Sequence, residues 1–344
     1  MSNGKWSGFG GAVVAAGAIA VGLAAEAGAQ PASTGSGQAA STGSGQAYPV
    51  KPIRFIVAVP PGGPADTLSR LVGPRLTAAL GQPVVIDNRP GANGNIAYET
   101  TARAAPDGYT ITSVAAGVAI NPSLYRDVKF DPVRDFAAIT QAIAVPNILV
   151  VHPSVAAASV RELVALAKAR AGQLVFASAG NGTSGHLALE QFRIMSGVEV
   201  IHVPYKGGGP ALAELIAGQV QALFSIALGA IPQANAGRVR ALAITSARRS
   251  ALMPALPTVA ESGFPGFECI GWFGVVAPAK MPRNIVELMH REITRALREP
   301  EIERRLQEQG AEVVAGSSVA FAAYIAAEQL KWARVIKQAG IKIE

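Results

Sequence analysis

Apolar positions along residues 48–344 alternate between short runs and a spacing of three to four, the pattern of strands covered by helices in an α/β fold. Pro52 to Val59 reads as a strand broken by Gly62-Gly63, after which Leu68, Leu71, Val72, Leu76 and Leu80 repeat at helical spacing. Gly73-Pro74 within that run predicts an interruption and a kink. Val84 to Asp87 is a second strand. Asn88-Arg89-Pro90-Gly91 turns into a helix carrying Tyr98, Thr101 and Ala102, and Pro106-Asp107-Gly108 turns into the strand Thr110 to Ala115. Further on, Asn147 to His152, Leu174 to Ser178, Val198 to Val203, Val220 to Ser225 and Val239 to Thr245 read as strands. Ser159 with Glu162, and Thr258 with Glu261, match the capping box that opens a helix. A long apolar run, Phe267 to Ala277, precedes two amphipathic helices near 283–298 and 318–338.

Three strand ends in this pattern share one chemistry. Pro60 to Asp66, Ala179 to His186, and Tyr205-Lys206-Gly207-Gly208-Gly209-Pro210 each place glycines where a strand hands over to a helix. The first amides of a helix have no intrahelical partner, and the macrodipole leaves roughly half a positive charge there. Such a terminus is a ready anion site, and glycines let a ligand approach the backbone. Ligands of open α/β sheets bind outside the carboxyl ends of strands. Each loop alone is also consistent with a plain tight turn. Together, the three predict one crevice that grips a negatively charged molecule.

Composition narrows the class. With 344 residues, 50% of them hydrophobic, the chain has core enough for two domains. The net charge of +7 is scattered and only 6% of residues are aromatic, so nothing resembles a nucleic-acid surface. At the N-terminus, Lys5 precedes an uncharged Ala/Gly/Val-rich run from Trp6 to Ala25, and Ala27-Gly28-Ala29 supplies a cleavage signal. Residues 1–29 therefore read as a secretory signal peptide, with an uncleaved anchor as the competing reading. Residues 32–39 and 40–47 repeat one Gly/Ser-rich octapeptide, which predicts a disordered tether over 30–47. Cys269 is the only cysteine, so no internal disulfide forms and core packing is its expected role.

Enzymatic and cofactor readings find little footing. Gly180 to Gly185 matches G-x-G-x-x-G between a strand and a helix, but no acidic residue follows at the spacing a dinucleotide ribose needs. Ser184 lacks the nucleophile-elbow pattern because position 186 is histidine. His152, His186, His202 and His290 are dispersed with no metal-ligand spacing, and His186 at a helix start suits a cap or pocket donor. Trp272-Phe273 reads as core or crevice lining, with core the expected role. No cofactor and no metal are expected.

The segments Lys51 to Val57, Pro60 to Asp66, Asn88 to Ala92, Pro106 to Thr110, Asn121 to Tyr125 and Asp131 to Phe136 resemble the Bug family, the periplasmic receptors of tripartite tricarboxylate transporters. So do Ser178 to Ser184, His202 to Gly207, Pro257 to Gly263 and Gly271 to Gly274, in order across residues 48–344. The resemblance implies a two-lobed periplasmic binding protein type II fold (a Venus flytrap), each lobe a mixed sheet flanked by helices. It implies a carboxylate held mostly by backbone groups, a periplasmic location, and a membrane permease of the same transporter type as partner. It also implies a monomeric, non-catalytic protein. Candidate ligand-binding residues are Pro61, Gly62, Gly63 and Asp66; Ala179, Asn181, Gly182, Thr183, Ser184 and His186; and Tyr205, Lys206, Gly207 and Gly208. Ser225 joins them: where many members carry an Asp-Asn pair after the phenylalanine, this chain has Ser225-Ile226, which removes a partner for a ligand ammonium group. The expected ligand is thus a non-amino mono- or dicarboxylate, aromatic ones included. Lobe 1 is expected over 48–148 with 276–344 and lobe 2 over 149–275. A ligand-sensing co-receptor for a membrane signalling system is the alternative, and a secreted hydrolase the remote one.

Overall fold

The computed structural model describes residues 40–41, 47–250, 253–308 and 310–341. The expected signal-peptide segment and most of the octapeptide tandem lie outside the described residues. At the end of the expected disordered tether, two short strands, β1 (Ala40–Ser41) and β2 (Ala47–Tyr48), pair antiparallel. The tether's end is held because Tyr48 is buried and its hydroxyl donates to Gly108 O at 2.6 Å.

The first half continues with β3 (Ile53–Val57), α1 (Pro64–Leu80), β4 (Val84–Asn88), α2 (Asn95–Ala102), β5 (Thr110–Ala115), α3 (Gly117–Leu124) and the long β6 (Phe136–Val151). Then come α4 (Val160–Ala169), β7 (Val175–Ser178), α5 (Ser184–Ser196), β8 (Ile201–Pro204), α6 (Gly208–Ile216), β9 (Ala222–Ile226), α7 (Ala227–Asn235) and β10 (Arg240–Ile244). The chain closes with β11 (Ile270–Pro278), α8 (Arg283–Leu297), α9 (Pro300–Glu308), β12 (Glu312–Val313) and α10 (Ser318–Ala339).

Hydrogen-bonded strands follow the order β4-β3-β5-β11-β6-β9-β7-β8, with β10 and β12 also on β6. Parallel pairs (β3 with β4 and β5, β7 with β8 and β9) flank the antiparallel β11 and β6, so the sheet is mixed. The strand β6 serves two wings: Phe136 to Pro146 run beside β11, and Asn147 to Val151 beside β9. Each wing has its own apolar core. Phe55, Leu68, Val72, Ile285 and Met289 pack α1 and α8 on the first, and Val150, Leu212, Leu215 and Leu223 pack α6 on the second. A third core links Phe176, Phe192 and Phe224 to Trp272, Phe321 and Trp332, so α10 packs against α3, β6 and α5 together.

Two local expectations change. α1 runs unbroken through Gly73-Pro74, with Gly73 buried so tightly that an added Cβ would lie 3.1 Å from Ile86 Cδ1. Packing against β4 thus holds the helix where proline alone would interrupt it. The Thr258–Glu261 box forms both of its bonds, at 2.9 and 3.0 Å, yet closes a turn instead of a helix. No apolar periodic segment follows it, because Gly263 and Gly266 adopt positive φ. The Ser159–Glu162 box does open α4.

Candidate functional site

The loop after β3 is shaped from within. Asp66 is buried and its carboxylate accepts from Gly62 N at 3.0 Å, Arg70 Nε at 2.9 Å and Asn88 Nδ2 at 2.9 Å. Burial opposes its ionisation, but the Arg70 guanidinium, the Gly62 amide and Asn88 hold the carboxyl below its ordinary range. Asp66 therefore folds the loop and leaves Gly63 and Pro64 to begin α1 at the crevice.

In the second wing, Thr183 caps α5 by accepting from His186 N, and its hydroxyl donates to Gly180 O at 2.7 Å. The His186 ring turns into the protein, where Nδ1 accepts from Gly182 N at 3.1 Å. It stacks on His202 with centroids 4.3 Å apart, and His202 Nε2 lies 2.7 Å from Ser178 Oγ. Burial first, then His202 and Arg193, push His186 down to about 3; burial and Arg193 push His202 down to about 4. Both rings are neutral struts behind the loop. The adjoining loop is tied on by Gly207 N, which donates to Ala179 O at 3.0 Å.

These loops meet in one crevice. A chamber of about 420 Å3 is walled by Pro61, Gly63 and Pro64, by Ala116 and Gly117, by Gly182 to Ser184, by Gly207-Gly208, and by Gly271 to Phe273 of β11. A second chamber of about 300 Å3 adjoins it across Ala179, Thr183, Ser184 and Gly208, and reaches Asn147, Leu212, Leu223, Ser225 and Gly229. The helices α1, α3, α6 and α7 start on these walls with no side-chain cap. Among the described residues, no Asp, Glu, Lys, Arg or His lines either chamber. A larger opening of about 500 Å3 beside Pro153, Arg240 and Met253 contains no helix start and so lacks this chemistry.

Of the candidate residues, Pro61, Gly63, Ala179, Gly182, Thr183, Ser184, Gly207, Gly208 and Ser225 line the chambers. Gly62, Asp66, Asn181, His186, Tyr205 and Lys206 do not; their roles around the walls are conformational where bonds define them. The sequence reading missed Asn93, the start of α3, Asn147 and the α7 start. Trp272 is fully buried, as a core residue should be, yet it also faces the larger chamber. Its indole N–H donates to Glu328 of α10 at 3.1 Å, and Trp332 donates to the same carboxylate at 2.8 Å. Asn93 bridges the wings: Nδ2 donates to Asn121 Oδ1 at 2.8 Å and lies 3.4 Å from Gly182 O. Among the described residues, no cluster of three His, Cys, Asp or Glu side chains is placed to hold a metal. No helix there is long and apolar enough to cross a membrane.

Comparison with known proteins gives this crevice a context. The chain is 37% identical over 299 residues to the protein BugT of Bordetella pertussis, covering 86% of this chain and 92% of that one. Among solved structures, R. palustris Rpa4515 with adipate superposes with a TM-score of 0.78 at 36% identity, covering 86% of this chain and all of that one. MatC from Rhodopseudomonas palustris with bound malate gives 0.73 at 30% identity, covering 84% of this chain and all of that one. The periplasmic binding protein BugD gives 0.76 at 32% identity, covering 86% of this chain and all of that one, so the two wings are the lobes of a periplasmic binding protein fold. The model of the tripartite tricarboxylate transporter family receptor matches residues 68–341, and the chain belongs to that family.

Proposed function

We propose that the chain is a periplasmic, non-catalytic receptor that captures a small non-amino mono- or dicarboxylate for the membrane subunits of a tripartite tricarboxylate-type transporter. The observation that carries this reading is the wall of uncapped helix starts around a crevice that, among the described residues, has no charged side chain in its lining. Amide dipoles favour a carboxylate, whereas a ligand ammonium group would find no carboxylate partner in the walls. The adipate and malate held by two relatives agree with an acidic guest. Catalysis is disfavoured because the hydroxyl nearest a nucleophile's position, Ser184 Oγ, donates to Asn147 Oδ1 at 3.2 Å and His186 Nδ1 is engaged by Gly182.

Export through a cleaved N-terminal signal peptide belongs to this reading. So does a lobe division of 48–148 with 276–344 against 149–275. Its first boundary lies close to where β6 changes partner from β11 to β9, at Pro146-Asn147, and its second falls within β11, which runs beside β6 over Ile270–Pro278. The lobes close because one ligand touches both, a population shift set by its differential affinity for the closed state.

Calorimetric titration of the mature chain with adipate, malate, benzoate and the amino acids aspartate and glutamate tests the reading. Binding of the acids with weaker or absent binding of their amino analogues is expected. Preference for aspartate or glutamate overturns the non-amino assignment, and chemical turnover of a bound acid overturns the receptor assignment.

A further inference from the structure

The smaller chamber has a chemistry distinct from the larger one. Leu212 of α6 and Leu223 of β9 give it apolar walls, and Gly229 of α7 leaves space beside them. Its polar side chains are committed to the protein. Ser184 Oγ donates to Asn147 Oδ1 at 3.2 Å, Asn147 Nδ2 lies 3.4 Å from Cys269 O, and Ser225 Oγ lies 3.3 Å from Ile226 O. The donors with no side-chain competitor sit at the neck between the chambers, where Gly208 begins α6. A carboxylate anchored at this neck directs the remainder of its molecule into an apolar chamber. A cavity of about 150 Å3 lined by Leu, Ile and Phe accommodates benzene, and this one is about 300 Å3.

We propose that this chamber is a specificity subsite for an apolar ligand body, so that the chain prefers carboxylates bearing one aromatic ring over short aliphatic acids. The inference rests on carboxylate capture as the function of the site. Each methylene equivalent moved from water into the chamber raises affinity about fourfold, so a six-carbon ring gains at least about a hundredfold over the methyl end of a short acid even when only partly enclosed.

Gly229 supplies the test. Its backbone is helical, and an added Cβ would lie 3.5 Å from Leu212 Cδ2 and 3.8 Å from Ser225 Oγ, ordinary contact distances. Gly229→Leu therefore grows into the chamber, and Gly229→Ala, which also favours the helix, does so by one methyl group if the larger variant fails to fold. Wild type and variants are titrated with propionate and benzoate, and the ratio of the two affinities is read. Wild type is expected to favour benzoate strongly, with that ratio falling at least about tenfold in Gly229→Leu and in the same direction in Gly229→Ala. Binding of both acids with no preference for benzoate, or a preference untouched by both variants, overturns the subsite and leaves carboxylate capture standing. Wild type that binds neither acid nor any of adipate, malate and benzoate overturns the parent reading as well.

Discussion

Mild acid should destabilise the folded chain through two imidazoles that stand behind the chamber walls. His186 and His202 stack behind the Ala179–Gly185 loop, and burial keeps both neutral down to about 3 and about 4. Glu190 stands 3.9 Å from His186 Nε2 but gives it little support, because Arg193 Nη1 donates to both Glu190 oxygens at 3.0 and 2.9 Å. Around His202, Ser178 Oγ is the polar contact and Arg193 the charged neighbour. The unfolded chain takes up both protons near about pH 6.5, while the native state does not until far lower. The unfolded state thus binds more protons between those limits, and stability falls as pH drops through the unfolded value. The loss is about 1.4 kcal/mol per pH unit for each ring, or about 4 kcal/mol for the pair between about pH 7.5 and about pH 5. Carboxylates held below their usual range, such as Asp66 and Asp87, begin to contribute only in more acidic solution, so the window belongs to the histidines. Urea unfolding across this range measures the change as a shift in midpoint at constant slope. His202→Gln, which keeps an amide to meet Ser178, should remove about half of it. The Ala179–Gly185 loop should keep its shape until near about pH 3, where a protonated His186 Nδ1 would confront the Gly182 amide donor to donor. A midpoint that does not move, or a ring in the folded protein titrating near its free value, refutes the reasoning.

Two further outcomes follow from contacts around the crevice. Gly182 has φ +75, and an added Cβ would lie 2.5 Å from Leu124 Cδ2 and 2.9 Å from Asn93 Nδ2 across the crevice. Gly182→Ala should hold the lobes apart and, with about 1–2 kcal/mol of backbone strain, lower carboxylate affinity about tenfold or more; unchanged titration curves would count against closure at this contact. Glu328→Leu should orphan two buried indole donors, Trp272 and Trp332, at about 1–3 kcal/mol each, whereas Glu328→Gln keeps an acceptor and loses less. Unfolding curves and tryptophan emission follow both, and equal stability of the two variants would mean that the shared carboxylate is not what holds α10 to β11.

Much of the crevice was legible because glycine at a strand-to-helix handover has few structural alternatives. Gly63, Gly182, Gly207 and Gly208, far apart in the chain, all face one chamber. What stayed hidden depended on packing between distant segments. The strand β6 is buried along nearly its whole length, so its pattern carries no alternation, and the sequence reading found only the stretch from Asn147 onward. The helix α7 contains Gly229 and Pro232 and has weak local signals, so its uncapped start beside Ser225 was not foreseen. His186 had the right position for a pocket donor, but its ring is claimed by His202, a residue brought alongside only when β8 pairs with β7. The Thr258–Glu261 box shows the opposite case, correct local bonds without the helix they usually announce.

A crevice built from amides has consequences a cationic one would not share. An arginine placed in these walls would carry a desolvation penalty of several kcal/mol, recovered only when the ligand arrives. Helix starts present roughly half a charge each with donors already fixed in direction, so the empty site carries little electrostatic strain. The same neutrality makes the walls indifferent to which acid arrives, since any carboxylate satisfies an N–H pair. On the proposed reading, discrimination falls to what surrounds the anion: walls whose described residues include no acidic side chain to meet an ammonium group, and the Leu212 and Leu223 surface, which rewards apolar bulk. If the anchors supply the grip and the apolar walls the choice, as proposed, changes at Gly182 and at Gly229 should be separable in one titration series: the first weakens every acid, the second reorders them.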